Sequence, residues 1–142
     1  MTIASIIDHR ESHIISCTAN DTVQTAAGLL ADKRIGALPV LAGDEIVGIF
    51  SERDLLYSVA REGEKSLSRT VGEVMTSPPI TIEVGTSVLS ALSLMTRRRI
   101  RHLPVMDEDR LVDFVSIGDL IKFRMDQIES EAEQMREYIA SA

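Results

Sequence analysis

Arg99-Ile100-Arg101-His102-Leu103-Pro104-Val105 decides the reading of this chain, because Arg34-Ile35-Gly36-Ala37-Leu38-Pro39-Val40 precedes it at an offset of 65 residues (99 − 34 = 65). Working outward from these stretches, residues 15–55 lie over residues 80–120 without a gap. Coincident pairs include Val23/Val88, Ala26/Ala91, Leu29/Leu94, Asp44/Asp109, Val47/Val112, Ser51/Ser116, Asp54/Asp119 and Leu55/Leu120. An internal repeat defines the architectural unit before any fold is considered. It also acts as a control, since shared features serve the unit and unshared ones mark where the copies diverge.

Each copy reads strand, helix, strand, strand, helix. In the first, Ile14-Ile15-Ser16-Cys17 is a short strand and Ala19-Asn20-Asp21-Thr22 a turn ending in a helix cap. Val23, Ala26, Ala27 and Leu30 recur at helical spacing, Leu38 to Leu41 form a strand, and Ile46 to Phe50 return after a hairpin turn. A second helix starts at Ser51, and at Ser116 in the second copy. The short segment Val71-Gly72-Glu73-Val74-Met75 leads into copy two as Ile3 to Ile7 lead into copy one, with a loop about three residues longer after the latter. The expected division is residues 1–60 as one unit, 61–69 as a linker, 70–125 as the second unit and 126–142 as a helical extension. In that last helix Ile121, Met125, Ile128, Ala132, Met135 and Ile139 make a heptad stripe. It reads either as a helix lying back on its own domain or as a dimer contact, extending about two turns beyond its counterpart.

A sixty-residue unit buries too little surface alone, so the copies are expected to share one body within the 142 residues. Hydrophobic residues make up 44% and mean hydropathy is +0.08, with no run near the roughly 18 apolar residues of a membrane span. The first residues lack the basic start of a signal peptide. A cytoplasmic location with no membrane partner is expected, and the single Cys17 excludes an internal disulfide. A net charge of −7 argues against broad nucleic-acid binding. Arg97-Arg98-Arg99 reads as the solvated end of a helix, and His9, His13 and Cys17 do not amount to a metal site. No nucleophile has a plausible base beside it, so no enzyme activity is expected.

The chemistry lies in Gly48-Ile49-Phe50-Ser51-Glu52-Arg53-Asp54 and its partner Asp113-Phe114-Val115-Ser116-Ile117-Gly118-Asp119. Ser-x-x-Asp at a strand-to-helix junction is a capping box. The same geometry presents free amides to a phosphate and an acid to ribose hydroxyls.

These paired segments, the leading Val71-Gly72-Glu73-Val74-Met75-Thr76 and the stretch Arg98-Arg99-Ile100-Arg101-His102-Leu103-Pro104-Val105 together resemble the CBS (cystathionine beta-synthase) domain in tandem, over nearly the full chain. The resemblance implies an α/β (α+β) fold of two pseudo-twofold-related β-α-β-β-α units packed through their sheets. It implies a stand-alone, non-enzymatic regulatory module, probing energy or redox state through AMP, ATP, NAD(H) or S-adenosylmethionine bound between the repeats, as a homodimer acting on an unidentified protein. By the same resemblance the Asp54 cleft is formed by Ser51, Arg53, Asp54, Pro79, Ile80, Ile100, Arg101 and His102. The Asp119 cleft is formed by Ile15, Ile35, Gly36, Ala37, Ser116 and Asp119. Arg101 and His102 suit phosphate, Gly48 permits close approach, and Asp113 in its place would repel phosphate if it pointed inward. The Asp54 cleft is therefore expected to be the main site. The alternative is an oligomerising scaffold with vestigial clefts.

Overall fold

Leu38-Pro39-Val40 and Leu103-Pro104-Val105 each begin a two-stranded antiparallel hairpin, and the two hairpins match residue for residue. In the computed structural model, which describes residues 1–11 and 13–141, β1 (Ala37–Ala42) pairs with β2 (Glu45–Ser51) and β4 (His102–Asp107) with β5 (Arg110–Ser116). Ser12, within the longer loop, and Ala142, at the end of the expected extension, lie outside the described residues. Val40 faces Gly48 and Val105 faces Asp113, and each hairpin has its register shift immediately after that pair.

The helices sit where their caps put them. Thr22 Oγ1 accepts from Thr25 N ahead of α2 (Val23–Lys33), and Ser87 Oγ accepts from Ser90 N ahead of α5 (Val88–Arg98). Both helices end on an arginine in the left-handed region, Arg34 at φ 54° and Arg99 at φ 55°. The expected first strands are shorter than read. In copy two β3 (Ile82–Glu83) pairs in parallel with β4, whereas in copy one only Cys17 bridges Val40. The Asp21 carboxylate takes the Thr18 N–H at 2.9 Å and turns the chain away from the sheet. Residues 61–69 are also ordered differently from a plain linker: α3 (Glu52–Glu62) runs into a 3₁₀ helix over Gly63–Ser68.

The two leading helices, α1 (Ile3–Ile7) and α4 (Val71–Val74), are exchanged between the copies. Ile3 and Ile6 pack with Ile82, Val88, Ala91, Met95, Leu103, Val105, Val115 and Leu120. Val71 packs with Cys17, Val23, Ala26, Leu30, Leu38, Val40 and Phe50. Backbone bonds secure both crossings: Ile3 N donates to Thr86 O at 2.9 Å, and Val71 N donates to Asp21 O at 2.8 Å. The two cores are thus bound into one body, which also joins through β2 and β5. Burial holds the Cys17 thiol protonated, its pKa pushed up to about 11 by desolvation and then by Asp21.

The last helix, α6 (Ile117–Ser141), is a single element of 25 residues against 11 in α3. It therefore outruns its counterpart by 14 residues (25 − 11), about four turns rather than two. Only Leu120 is buried, and every described residue from Ile128 onward is exposed. The distal helix does not lie back on its own domain.

Because Ile3 fills the other copy's core, Ile3→Ala should cost about 3 kcal/mol in urea unfolding. The same loss should appear in probes of both copies, and separate transitions for the two copies would contradict a shared body.

Candidate functional site

The two strand-to-helix junctions close in the same way. Ser51 N donates to Asp54 Oδ2 at 2.9 Å and Asp54 N to Ser51 Oγ at 3.3 Å. Ser116 N donates to Asp119 Oδ2 at 2.8 Å and Asp119 N to Ser116 Oγ at 3.1 Å. The capping box is present in both copies, and it orients each carboxylate with one oxygen committed to its own helix turn. What meets the carboxylate next differs. Asp54 Oδ1 accepts from Thr76 Oγ1 at 2.9 Å, whereas Asp119 Oδ2 lies 3.1 Å from Arg10 Nη1.

Beside Asp119 is a cavity of about 360 Å³, within the range of small-ligand sites. Its apolar wall is Ile14, Ile15, Ile35 and Ala37, and its polar side holds Arg10, Asp113, Ser116 and Asp119. His102 and Phe114 complete it, with Glu11 and His13 at the rim. Of the residues expected for this cleft, Ile15, Ile35, Ala37, Ser116 and Asp119 come together. Gly36 sits just behind: a Cβ there would lie 2.9 Å from Glu52 Oε1 and 3.0 Å from His102 Cε1.

Arg10 is the residue that sequence reasoning missed. Its Nε and Nη2 bond Asp113 Oδ2 and Oδ1 at 3.0 and 2.8 Å, Nη2 also reaches Phe114 O at 3.3 Å, and Nη1 faces Asp119. Asp113 is 3% exposed, and a carboxylate so buried needs a paired cation. The expected phosphate repulsion is corrected on this ground, because the Asp113 charge is clamped rather than presented. Burial acts to raise the Asp119 pKa, but the Ser116 N–H and Arg10 outweigh it and hold the carboxyl below its ordinary range. The Asp113 hydrogen bond chiefly raises the Arg10 pKa against its own burial, so the guanidinium stays charged. A cue existed in the sequence, since an acid replaces Gly48 in the second copy and an arginine stands in the longer loop ahead of the first. Nothing in the spacing joined the two.

His102 also departs from expectation. The family resemblance places it in the Asp54 cleft, but its ring stacks on Phe114 (centroids 5.6 Å apart, planes at 12°) and lines the Asp119 cavity. The strand register explains this, since His102 pairs with Ser116 and Phe114 is its diagonal neighbour on the same face. Burial and then Arg101 lower its pKa, against the pull of Asp119 and Glu52, so the imidazole is neutral at pH 7.

On the Asp54 side the expected residues are more dispersed. Arg53 donates to Arg99 O at 2.7 Å, tying α3 to the end of α5. Arg101 lies 3.9 Å from Glu52, both more than half exposed, a pairing worth little. Ile80 and Ile100 pack against the second core, and Pro79 lines a groove with Asp44, Glu45 and Ile46. Gly48 serves the chain itself rather than a ligand. A Cβ there would meet Met75 Sδ at 2.5 Å and Thr76 O at 3.0 Å, where Thr76 and Ile49 exchange backbone hydrogen bonds of 2.9 Å.

Comparison with known proteins agrees with this architecture. A family model for the CBS domain matches residues 6–61 and 71–126. The mitochondrial CBS domain-containing protein CBSX3 of Arabidopsis thaliana is 37% identical over 128 residues, covering 87% of this chain; the chain spans only 62% of that relative's length. The crystal structure of a CBS-domain containing protein from Agrobacterium tumefaciens superposes with a TM-score of 0.83 at 32% identity, covering 87% of this chain and 99% of that one. A CBS domain protein of Pyrobaculum aerophilum complexed with AMP superposes with a TM-score of 0.73 at 27% identity, covering 84% and 89% of the two chains.

Two outcomes follow from the cavity's charges. Arg10→Met strands Asp113 and should cost about 2–3 kcal/mol in denaturant unfolding, most of it regained in Arg10→Met with Asp113→Asn. No recovery would mean that Arg10 stabilises by packing instead. Since the folded pKa of His102 lies below the ordinary 6.5, the unfolded chain takes up its proton first, and stability is lost as pH falls through about 6.5. Unfolding midpoints at pH 7.5 and 5.5 should differ less in His102→Gln than in the unaltered protein; an equal fall would assign the dependence to other groups.

Proposed function

The chain belongs to the CBS domain family as a tandem pair, and from that premise we propose that it is a non-catalytic regulatory module that binds an adenine nucleotide in the Asp119 cleft. The supporting observation is the arrangement there: a capped carboxylate, a guanidinium and an apolar wall around one cavity of about 360 Å³. The adenine packs against Ile15, Ile35 and Ala37, and the ribose hydroxyls donate to Asp119. The phosphate turns the Nη1 edge of Arg10 from Asp119 toward itself, beside Ser116 and His102. AMP is the first candidate because the Pyrobaculum relative is complexed with it; ATP, NAD(H) and S-adenosylmethionine are the competitors. The proposal reverses the expected ranking of the clefts. A ribose at Asp54 must displace the Thr76 hydroxyl, and His102 serves the other side.

Occupancy regulates a partner only if the ligand favours one arrangement of the pair over another. Arg10 supplies such a difference, since a bound phosphate competes with Asp119 for its guanidinium. The partner is a separate protein, and the module itself acts as a homodimer. The scaffold reading is favoured by one specific observation, the exposed apolar stripe along α6. Truncation after Arg124 distinguishes the two: in the regulatory reading the shortened chain still binds nucleotide, whereas in the scaffold reading neither chain binds it and loss of assembly is the whole defect.

The test is thermal unfolding of nucleotide-free protein with AMP, ADP, ATP, NAD, NADH and S-adenosylmethionine. A ligand at about a hundred times its dissociation constant should add roughly 2.7 kcal/mol. Asp119→Asn should remove most of the AMP shift and Asp54→Asn little of it. Equal losses would refute the ranking of the clefts, and no shift with any ligand would refute nucleotide binding.

A further inference from the structure

We propose that α6 pairs in parallel and in register with the same helix of a second copy, as a short two-stranded coiled coil projecting from the paired bodies. This deepens the homodimer of the preceding reading and does not depend on the nucleotide. Ile121, Met125, Ile128, Ala132, Met135 and Ile139 alternate as d and a positions of a heptad repeat. The five large ones are 43–67% exposed, along a continuous helix whose described residues beyond Gln127 are all exposed.

The flanking charges select the occupant and its direction. With these core positions, Arg124 and Glu131 take g positions, and Lys122, Glu129 and Arg136 take e positions. In a parallel pair each g residue reaches the e residue five places on in the partner. Arg124 then meets the partner's Glu129, and Glu131 meets the partner's Arg136, each pair occurring twice by symmetry. Arg136 engages Glu133 of its own helix at 2.6 Å in the single chain, an exposed pair weak enough to exchange.

The antiparallel alternative with full overlap sets Ile121 against Ile139, Met125 against Met135 and Ile128 against Ala132. It brings Glu129 beside the partner's Glu129, Glu131 beside the partner's Glu131 and Lys122 beside the partner's Arg136. Every flanking ionic contact is then repulsive, which works against that orientation. A lipid surface is a poorer occupant still. Asp126, Glu129, Glu131, Glu133 and Glu137 outnumber Arg136 beyond Arg124, and anionic headgroups attract basic helices.

The test uses the full chain. Sedimentation should give the mass of two chains. In a glutathione redox buffer Ile139→Cys should form a covalent dimer almost completely, because position 139 faces itself only in the parallel register. The unaltered protein, whose Cys17 is buried, should form none. Glu131→Arg should weaken the dimer about tenfold and Arg136→Glu in the same chain should restore it. A dimer whose Ile139→Cys form stays uncrosslinked, while mixed Ile121→Cys and Ile139→Cys chains join, overturns the parallel orientation alone. A tetramer, which isoleucine at d positions favours, overturns the two-stranded form. A monomer overturns the homodimer as well, and the AMP shift, read separately, decides the nucleotide reading in each case.

Discussion

Ile3 donates its backbone N–H to Thr86, Val71 donates its own to Asp21, and through these bonds each repeat is completed by the segment that precedes the other. Without the exchange, Ile3, Ile6 and Val71 would be apolar side chains on helices of five and four residues, too short to persist alone. With it, the two small cores become one cooperative body. The crossing also determines what reaches the clefts. The chain leaving α1 has just packed on the second unit, so Arg10 meets Asp119. The chain leaving α4 has packed on the first unit, so Thr76 meets Asp54.

From that symmetric plan the clefts diverge through a few substitutions. At Gly48 the absent side chain lets Met75 and Thr76 lie directly on β2 and satisfy its edge. At Asp113 a buried carboxylate occupies the equivalent place and demands a cation, which the longer loop supplies as Arg10. One acid therefore carries a neutral hydroxyl and the other a guanidinium. The same guanidinium that neutralises Asp113 faces the cavity, so the cation that compensates a buried carboxylate also gives the cavity its positive charge. His102, kept neutral by burial, adds a polarisable face rather than a fixed charge.

Much of this was legible in the residues. The helix caps at Thr22, Ser87, Ser51 and Ser116 lie where Ser and Thr precede apolar periodicity, because capping is a local hydrogen bond between neighbours. Both hairpins follow from alternating strands around Gly43 and Asp109. The short first strand was less legible, since Asp21 competes for backbone donors that the sheet would have used. The run of α6 to the end of the chain was legible, because no breaker follows Gly118; only its overhang past α3 was read short, at two turns against about four.

By itself, the sequence determined the repeated unit, its caps and hairpins, and the two acids Asp54 and Asp119 at equivalent junctions, because these depend on neighbours a few residues apart. Only the tertiary structure decided that the leading helices change partners and that Arg10 clamps Asp113. It also decided that His102 turns to Phe114 instead of Asp54. The Ile3–Thr86 and Arg10–Asp113 contacts join residues about 80 and 100 positions apart (86 − 3 = 83; 113 − 10 = 103). Contacts of that separation leave no periodicity in the chain and exist only once both cores have closed.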